Sequence, residues 1–132
     1  MRALDTNTLV RLLVDDDARQ AARVVALCER TAAAGETLFV SDVVVCELVW
    51  VLGRGYRISR DRIEGMLDAL LRTRHLRFRE PDRLRDALAA FGRGRGDFAD
   101  YLIREHARAA GCDAVVTFDR ALHGEAGFVA PD

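Results

Sequence analysis

The stretch Arg2-Ala3-Leu4-Asp5-Thr6-Asn7-Thr8-Leu9-Val10-Arg11-Leu12-Leu13 decides how the rest of the chain is read. A short apolar run stops at an acid, small polar residues follow, and Leu and Val then recur at helical spacing. The pattern is that of a strand running straight into a helix, with Asp5 at the strand's carboxyl end. In open α/β sheets ligand chemistry gathers at such ends. Asp5 is equally a good N-cap for the helix behind it. A functional reading therefore needs other acids that reach the same place.

Working outward, Asp15-Asp16-Asp17 forms a solvated turn and a helix start, where negative charge is favoured without any metal. Residues 18–33 repeat Ala, Val and Leu at helical spacing, and Gly35 stops the run. Residues 37–40 make a short apolar strand. Ser41-Asp42 is an N-cap pair, and its helix runs to Gly53 or Gly55. Glu47 lies on that helix on one face with Val43, Val44, Trp50 and Val51. A carboxylate within an apolar stripe is costly unless something pairs with it. An Arg partner is the plain explanation. Flanking residues that leave little route to water favour a metal or catalytic role.

Residues 54–79 carry eight Arg against three acids. They form an amphipathic helix over about 59–72 and a strand around 75–78, with His75 structural near the strand start. Pro81-Asp82 opens a helix to about Phe91. Gly92-Arg93-Gly94-Arg95-Gly96-Asp97 reads as a flexible cationic loop, and it lacks the Lys-Ser/Thr ending of a P-loop. Asp97 and Asp100 open the next helix, which runs to about Ala110. Spaced three apart, they face the same way, though a cap and a dipole-stabilising acid would look alike. Asp113–Phe118 reads as a buried strand with Asp119 at its end. A helical turn over 120–123 and a strand over 127–129 finish the chain, and His123 is given no role. Alternating strands and helices predict one α/β domain spanning 1–132. It is of the three-layer α/β/α kind, with a mainly parallel, roughly five-stranded central sheet.

Composition narrows the function classes. The chain has 132 residues, half of them hydrophobic and 31% charged, with a formal net charge of −1. That is a globular composition with no overall pull toward a polyanion. All 20 basic residues are Arg, so every cation can grip phosphate in bidentate fashion. Three widely spaced cysteines fit neither a disulfide framework nor a zinc site, which points to a reducing cytoplasm. No signal-peptide block opens the sequence, and the apolar stretch from Val43 to Leu52 is too short to span a bilayer.

Asp5 and Asp119 end strands, Glu47 follows a second strand, and Asp97 and Asp100 open a helix before another. In a parallel sheet, strand ends and the starts of the following helices share one edge, so these acids are expected to converge there. Carboxylates about 4 Å apart repel by roughly 4 kcal/mol near a protein surface. Without a cation some of them would hold protons. An all-oxygen set with no His or Cys selects Mg²⁺ or Mn²⁺, which suits chemistry on phosphate.

The segments "ALDTNTLVRLL", "SDVVVCELVWVL", "DFADYLIREHARAAG" and "AVVTFDRAL" resemble, in order and spacing, those of PIN domains, and specifically of VapC-type toxin ribonucleases of toxin–antitoxin pairs. The resemblance extends over nearly the whole chain. It implies Asp5, Glu47, Asp100 and Asp119 as the catalytic, metal-binding acids, with Asp97 as the other acid of "DFAD". Thr6, Asn7 and Thr117 match the small polar residues that support such sites. It further implies RNA cleavage by metal-activated water, a VapB-like antitoxin partner and a homodimer. Arg93, Arg95 and Arg11 are candidates for binding the RNA.

Rival readings are weaker. An aspartyl-phosphate phosphatase would want an acid where Asn7 stands, and a Lys. A receiver-type signalling module also needs a Lys, and the chain has none. A nuclease that processes RNA outside any toxin–antitoxin pair is the nearest alternative. A PIN fold kept only for binding is disfavoured by the intact acids.

Overall fold

The computed structural model describes all of residues 1–132. The chain packs as two compact units, Met1–Arg79 and Glu80–Asp132.

The first unit starts with strand β1 (Arg2–Ala3), helices α1 (Thr6–Leu13) and α2 (Ala18–Ala33), strand β2 (Leu38–Val40) and helix α3 (Asp42–Trp50). A π-helical turn (Val51–Gly55), helix α4 (Arg60–Leu71) and strand β3 (Leu76–Phe78) complete it. Its strands lie parallel in the order β1-β2-β3, with Arg2 opposite Leu38 and Leu38 opposite Leu76. Each helix begins where an oxygen-bearing side chain meets its first free N–H groups. Asp17 caps α2 through Gln20 N–H at 3.0 Å, and Ser41 caps α3 through Val44 N–H at 3.3 Å. Ser59 does the same for α4. Gly35, at φ +67°, turns the chain out of α2 in a conformation that glycine adopts without strain. The core is drawn from one face of each helix and from strands β2 and β3, with Leu9, Leu48 and Leu52 fully buried.

The second unit comprises helices α5 (Pro81–Arg93) and α6 (Phe98–Ala109), strand β4 (Val115–Val116), a 3₁₀ turn (Arg120–Leu122) and strand β5 (Phe128–Val129). Pro81 stands at the start of α5, where its missing N–H costs no hydrogen bond. The two helices pack against each other, and Leu84, Ala87, Phe91 and Phe98 on them are buried. The Phe91 and Phe98 rings meet edge to face, 6.3 Å apart. Strands β4 and β5 are parallel, with Val115 opposite Phe128.

Four expectations need correction. The five parallel strands form a three-stranded and a two-stranded sheet, not one sheet of five. Strands β1, β4 and β5 are two residues long, so each supports only a short ladder. The helix expected to stop near Phe91 continues through Arg93, which shortens the cationic loop to Gly94–Asp97. The expected buried strand 113–118 is reduced to Val115–Val116, and Val116 and Phe118 are 63% and 86% exposed. A strand with one hydrogen-bonded neighbour and so short a ladder does not sink its whole length. Finally, Glu47 is exposed, because Val43 and Trp50 on its face are themselves 76% and 61% exposed. Helix α3 is apolar nearly all round, and only the opposite side, through Val45, Leu48 and Val49, is buried.

Leu48→Ala should lower the unfolding free energy by about 2–5 kcal/mol, the usual cost of a core leucine truncation. Equilibrium urea denaturation measures it, and a loss below about 1 kcal/mol would show that the α3 face opposite Glu47 is not tightly packed.

Candidate active site

In the first unit Asp5 follows β1 and caps α1. Its Oδ1 accepts from the Thr8 N–H at 2.9 Å and from the Thr8 hydroxyl at 2.7 Å. The Thr8 hydroxyl, and then its N–H, hold the Asp5 carboxyl below the usual aspartate range. Capping therefore keeps Asp5 ionised, and both bonds end on one oxygen. The next residue, Thr6, is buried and donates its hydroxyl to Oε1 of Glu47 on α3. That bond joins residues 41 positions apart and carries the end of β1 to the second turn of α3. Glu47's protein partner is thus a threonine and not an arginine. Asn7 is exposed beside them.

In the second unit Asp97 precedes α6, and Asp100 reaches back so that its Oδ2 accepts from the Asp97 N–H at 2.9 Å. Burial is the main cause raising the Asp100 carboxyl above the usual range. The Asp97 N–H works against it, while the charges of Asp97, Asp119 and Glu125 add to the rise. Asp119 caps the 3₁₀ turn, its Oδ1 accepting from Ala121 N–H at 3.0 Å. Its own N–H donates to the Thr117 hydroxyl at 3.0 Å. Thr117 therefore supports the acid's backbone, and His123 Nε2 meets the Thr117 carbonyl at 2.7 Å.

Each of the four acids is thus anchored through a single oxygen: Oδ1 of Asp5, Oε1 of Glu47, Oδ2 of Asp100 and Oδ1 of Asp119. No arginine pairs with any of them. The second oxygen of each has no hydrogen-bond partner in the protein. Within neither unit do three or more His, Cys, Asp or Glu side chains stand close enough together to hold a metal ion. The donor chemistry nevertheless fits a hard divalent ion. All donors are oxygens, and a cation would relieve the like-charge crowding that opposes Asp100 ionisation.

Of the arginines, Arg93 and Arg95 are exposed. Arg11 is engaged instead. Its Nη1 lies 3.0 Å from Asp16, its Nε donates to Gln20, and Tyr56 Oη donates to the same Asp16 at 2.6 Å.

Sequence reasoning missed Tyr101 and Glu125. The Tyr101 ring is fully buried, and its hydroxyl donates to Glu125 at 2.7 Å while accepting from Gly96 N–H at 2.9 Å. A Cβ on Gly94 would fall 1.9 Å from the Tyr101 oxygen, and one on Gly96 2.6 Å from Leu122. These glycines are there for close approach to Tyr101, not for flexibility. The Gly-x-Gly spacing before Asp97 was the available signal. Nothing in the pattern marked Glu125.

Asp100→Asn keeps an oxygen for the Asp97 N–H but removes the charge. A folded-state pKa above the unfolded value favours the protonated fold, so Asp100's contribution is present at low pH and lost as pH rises through the folded value. In chelator, the variant should therefore melt higher than the parent at neutral pH, with the gain shrinking below pH of about 4. Thermal unfolding at the two pH values reads this directly. A variant that melts lower at neutral pH would contradict the assigned crowding.

Comparison with known proteins adds a separate finding. The PIN domain model matches residues 2–126. A VapC ribonuclease of Aquifex aeolicus (strain VF5) is 28% identical over 120 residues, covering 91% of this chain and 88% of that protein. With that match the expected three-layer α/β/α class holds, its five parallel strands divided between two sheets. The chain, matched almost end to end, belongs to the PIN domain family.

Proposed function

We propose that this protein is a metal-dependent endoribonuclease, the toxin of a toxin–antitoxin pair, and that Asp5, Glu47, Asp100 and Asp119 hold Mg²⁺ or Mn²⁺, with Asp97 assisting. The observation that carries the proposal is the one-oxygen anchoring of all four acids with no arginine to neutralise them. A carboxylate withdrawn from water tends to be met by a cation of the protein itself, and Asp100, the least exposed of the four, has none. Family membership and the likeness to a VapC ribonuclease give the reaction class.

The residues divide the work by position. The outer oxygens of Asp5, Glu47, Asp100 and Asp119 would take the cation, while the bonds through Thr6, Thr8, Asp97 and Ala121 fix each carboxylate's direction. Bound there, a divalent ion would supply Lewis-acid activation of water and neutralise charge developing on the phosphate. Thr117 keeps the Asp119 turn in place through the Asp119 N–H. Asn7, exposed beside Asp5, is a polar group within the same turn of α1. Arg93, just before the Gly94–Asp97 loop, and Arg95, within it, would draw the sugar–phosphate backbone toward Asp97 and Asp100. A VapB-like antitoxin and a second copy of the chain are the proposed partners. A cytoplasmic site of action accords with three free cysteines, and no helix is long and apolar enough to cross a membrane.

The direct test is cleavage of structured RNA with Mg²⁺ or Mn²⁺. Asp5→Asn and Glu47→Gln, each nearly isosteric, should each lower the single-turnover rate by at least about 10²-fold, a common scale for losing one positioned catalytic group. Rates within about twofold of the parent for both variants would remove these acids from the catalytic set. Growth arrest on expression, relieved by a small protein encoded alongside, separates a toxin from an RNA-processing relative.

A further inference from the structure

We propose that a cavity of about 510 Å³ in the first unit is a binding site for a nucleic-acid phosphate backbone, separate from the acids. It lies along α2, with Arg2 of the edge strand β1 contributing to its wall. Its polar lining is Arg2, Gln20, Arg23 and Arg30, with Val24 and Leu27 among its apolar residues, and no carboxylate takes part.

The chemistry of that lining selects the ligand. Arginine offers only donors. The acceptor oxygen of Gln20 already takes one hydrogen bond from Arg11 Nε, while both N–H donors of its amide remain to be met. A ligand must therefore bring acceptors and negative charge. Arg2, Arg23 and Arg30 have no ion-pair partner in the protein, unlike Arg11, whose charge is met by Asp16. Arg23 and Arg30 are seven residues apart on one helix, roughly 10 Å of rise. Charge strung over two turns suits an extended polyanion better than a single small ion, and Val24 and Leu27 offer apolar contact that inorganic phosphate would not use. Arg30 sits in the last turn of α2, where any cation is favoured by the helix dipole. That does not account for Arg2 or Arg23.

The overall charge decides between RNA and an acidic peptide only together with the function. A chain of net charge −1 has no long-range attraction for RNA, so a ribonuclease built on it needs a local cationic track to hold the strand beyond the cleavage point. The choice of RNA thus rests on the ribonuclease reading, whereas the polyanion class rests on the lining alone.

The experiment uses the full-length chain, a fluorescent single-stranded 2′-O-methyl RNA that cannot be cleaved, and chelator in place of metal. Anisotropy is followed between about 50 and 200 mM salt. Arg23→Gln/Arg30→Gln should weaken binding several-fold and flatten the slope of log affinity against log salt by about 1.4, or 0.7 for each lost phosphate contact. Arg23→Lys/Arg30→Lys should keep most of the slope. Should the glutamine variant not fold, Arg2→Gln replaces it, with an expected change of about 0.7. Unchanged affinity and slope in a folded glutamine variant would overturn the proposal. So would loss of binding to fluorescent poly-glutamate with no change toward RNA, which would assign the cavity to an acidic peptide. Because neither metal nor cleavage enters the assay, its outcome is readable even if the acids prove not to be catalytic.

Discussion

Like charges held close together in a partly buried place oppose their own ionisation. Asp100 shows it most clearly. Burial and the charges of Asp97, Asp119 and Glu125 all resist its ionised form. A fold shaped only for stability would place an arginine there, and the chain has 20 to offer. Those arginines that do pair do so elsewhere, as Arg11 does with Asp16 and Arg108 with Glu105. Asp100 is left without an arginine to offset that cost, and the cation proposed above would offset it from outside the protein.

Local structure holds the acids in place without neutralising them. Three of the four acids act as helix caps or brace one, so the first turns of α1, α6 and the 3₁₀ turn fix the carboxylates they depend on. Glu47 is the exception, in mid-helix, and it is held by the Thr6 hydroxyl. The capping and functional readings of these residues are therefore not alternatives. A cap uses one oxygen, and a carboxylate has two. The same economy appears around Gly94 and Gly96, which let the buried Tyr101 hydroxyl reach the loop that leads into Asp97.

Much of this was legible in the sequence because it depends on local rules. Asp17, Ser41 and Ser59 start helices as their residue types dictate, and Gly35 ends one. The pair Asp97 and Asp100 was readable from spacing alone. What was not legible depends on which surfaces are covered. Helix α3 is apolar on nearly every side, so periodicity gives no sign that Val43 and Trp50 stay exposed and leave Glu47 in water. Residues 113–118 have the composition of a buried strand, yet Phe118 is 86% exposed. Strands β1, β4 and β5 make ladders only two residues long, a length that no propensity scale resolves. Glu125 gave no signal because its role is defined by Tyr101, 24 residues earlier.

The claim that these acids await a cation is tested most directly by titrating Mn²⁺ into the metal-free protein and following thermal unfolding. Binding to the folded state alone raises stability by RT ln(1 + [L]/Kd), about 2.7 kcal/mol at a hundredfold excess over Kd. The expected result is a saturable rise in the midpoint that is reversed by chelator and greatly reduced in Glu47→Gln. A midpoint that does not move with Mn²⁺ would contradict it, and so would a rise of the same size in that variant.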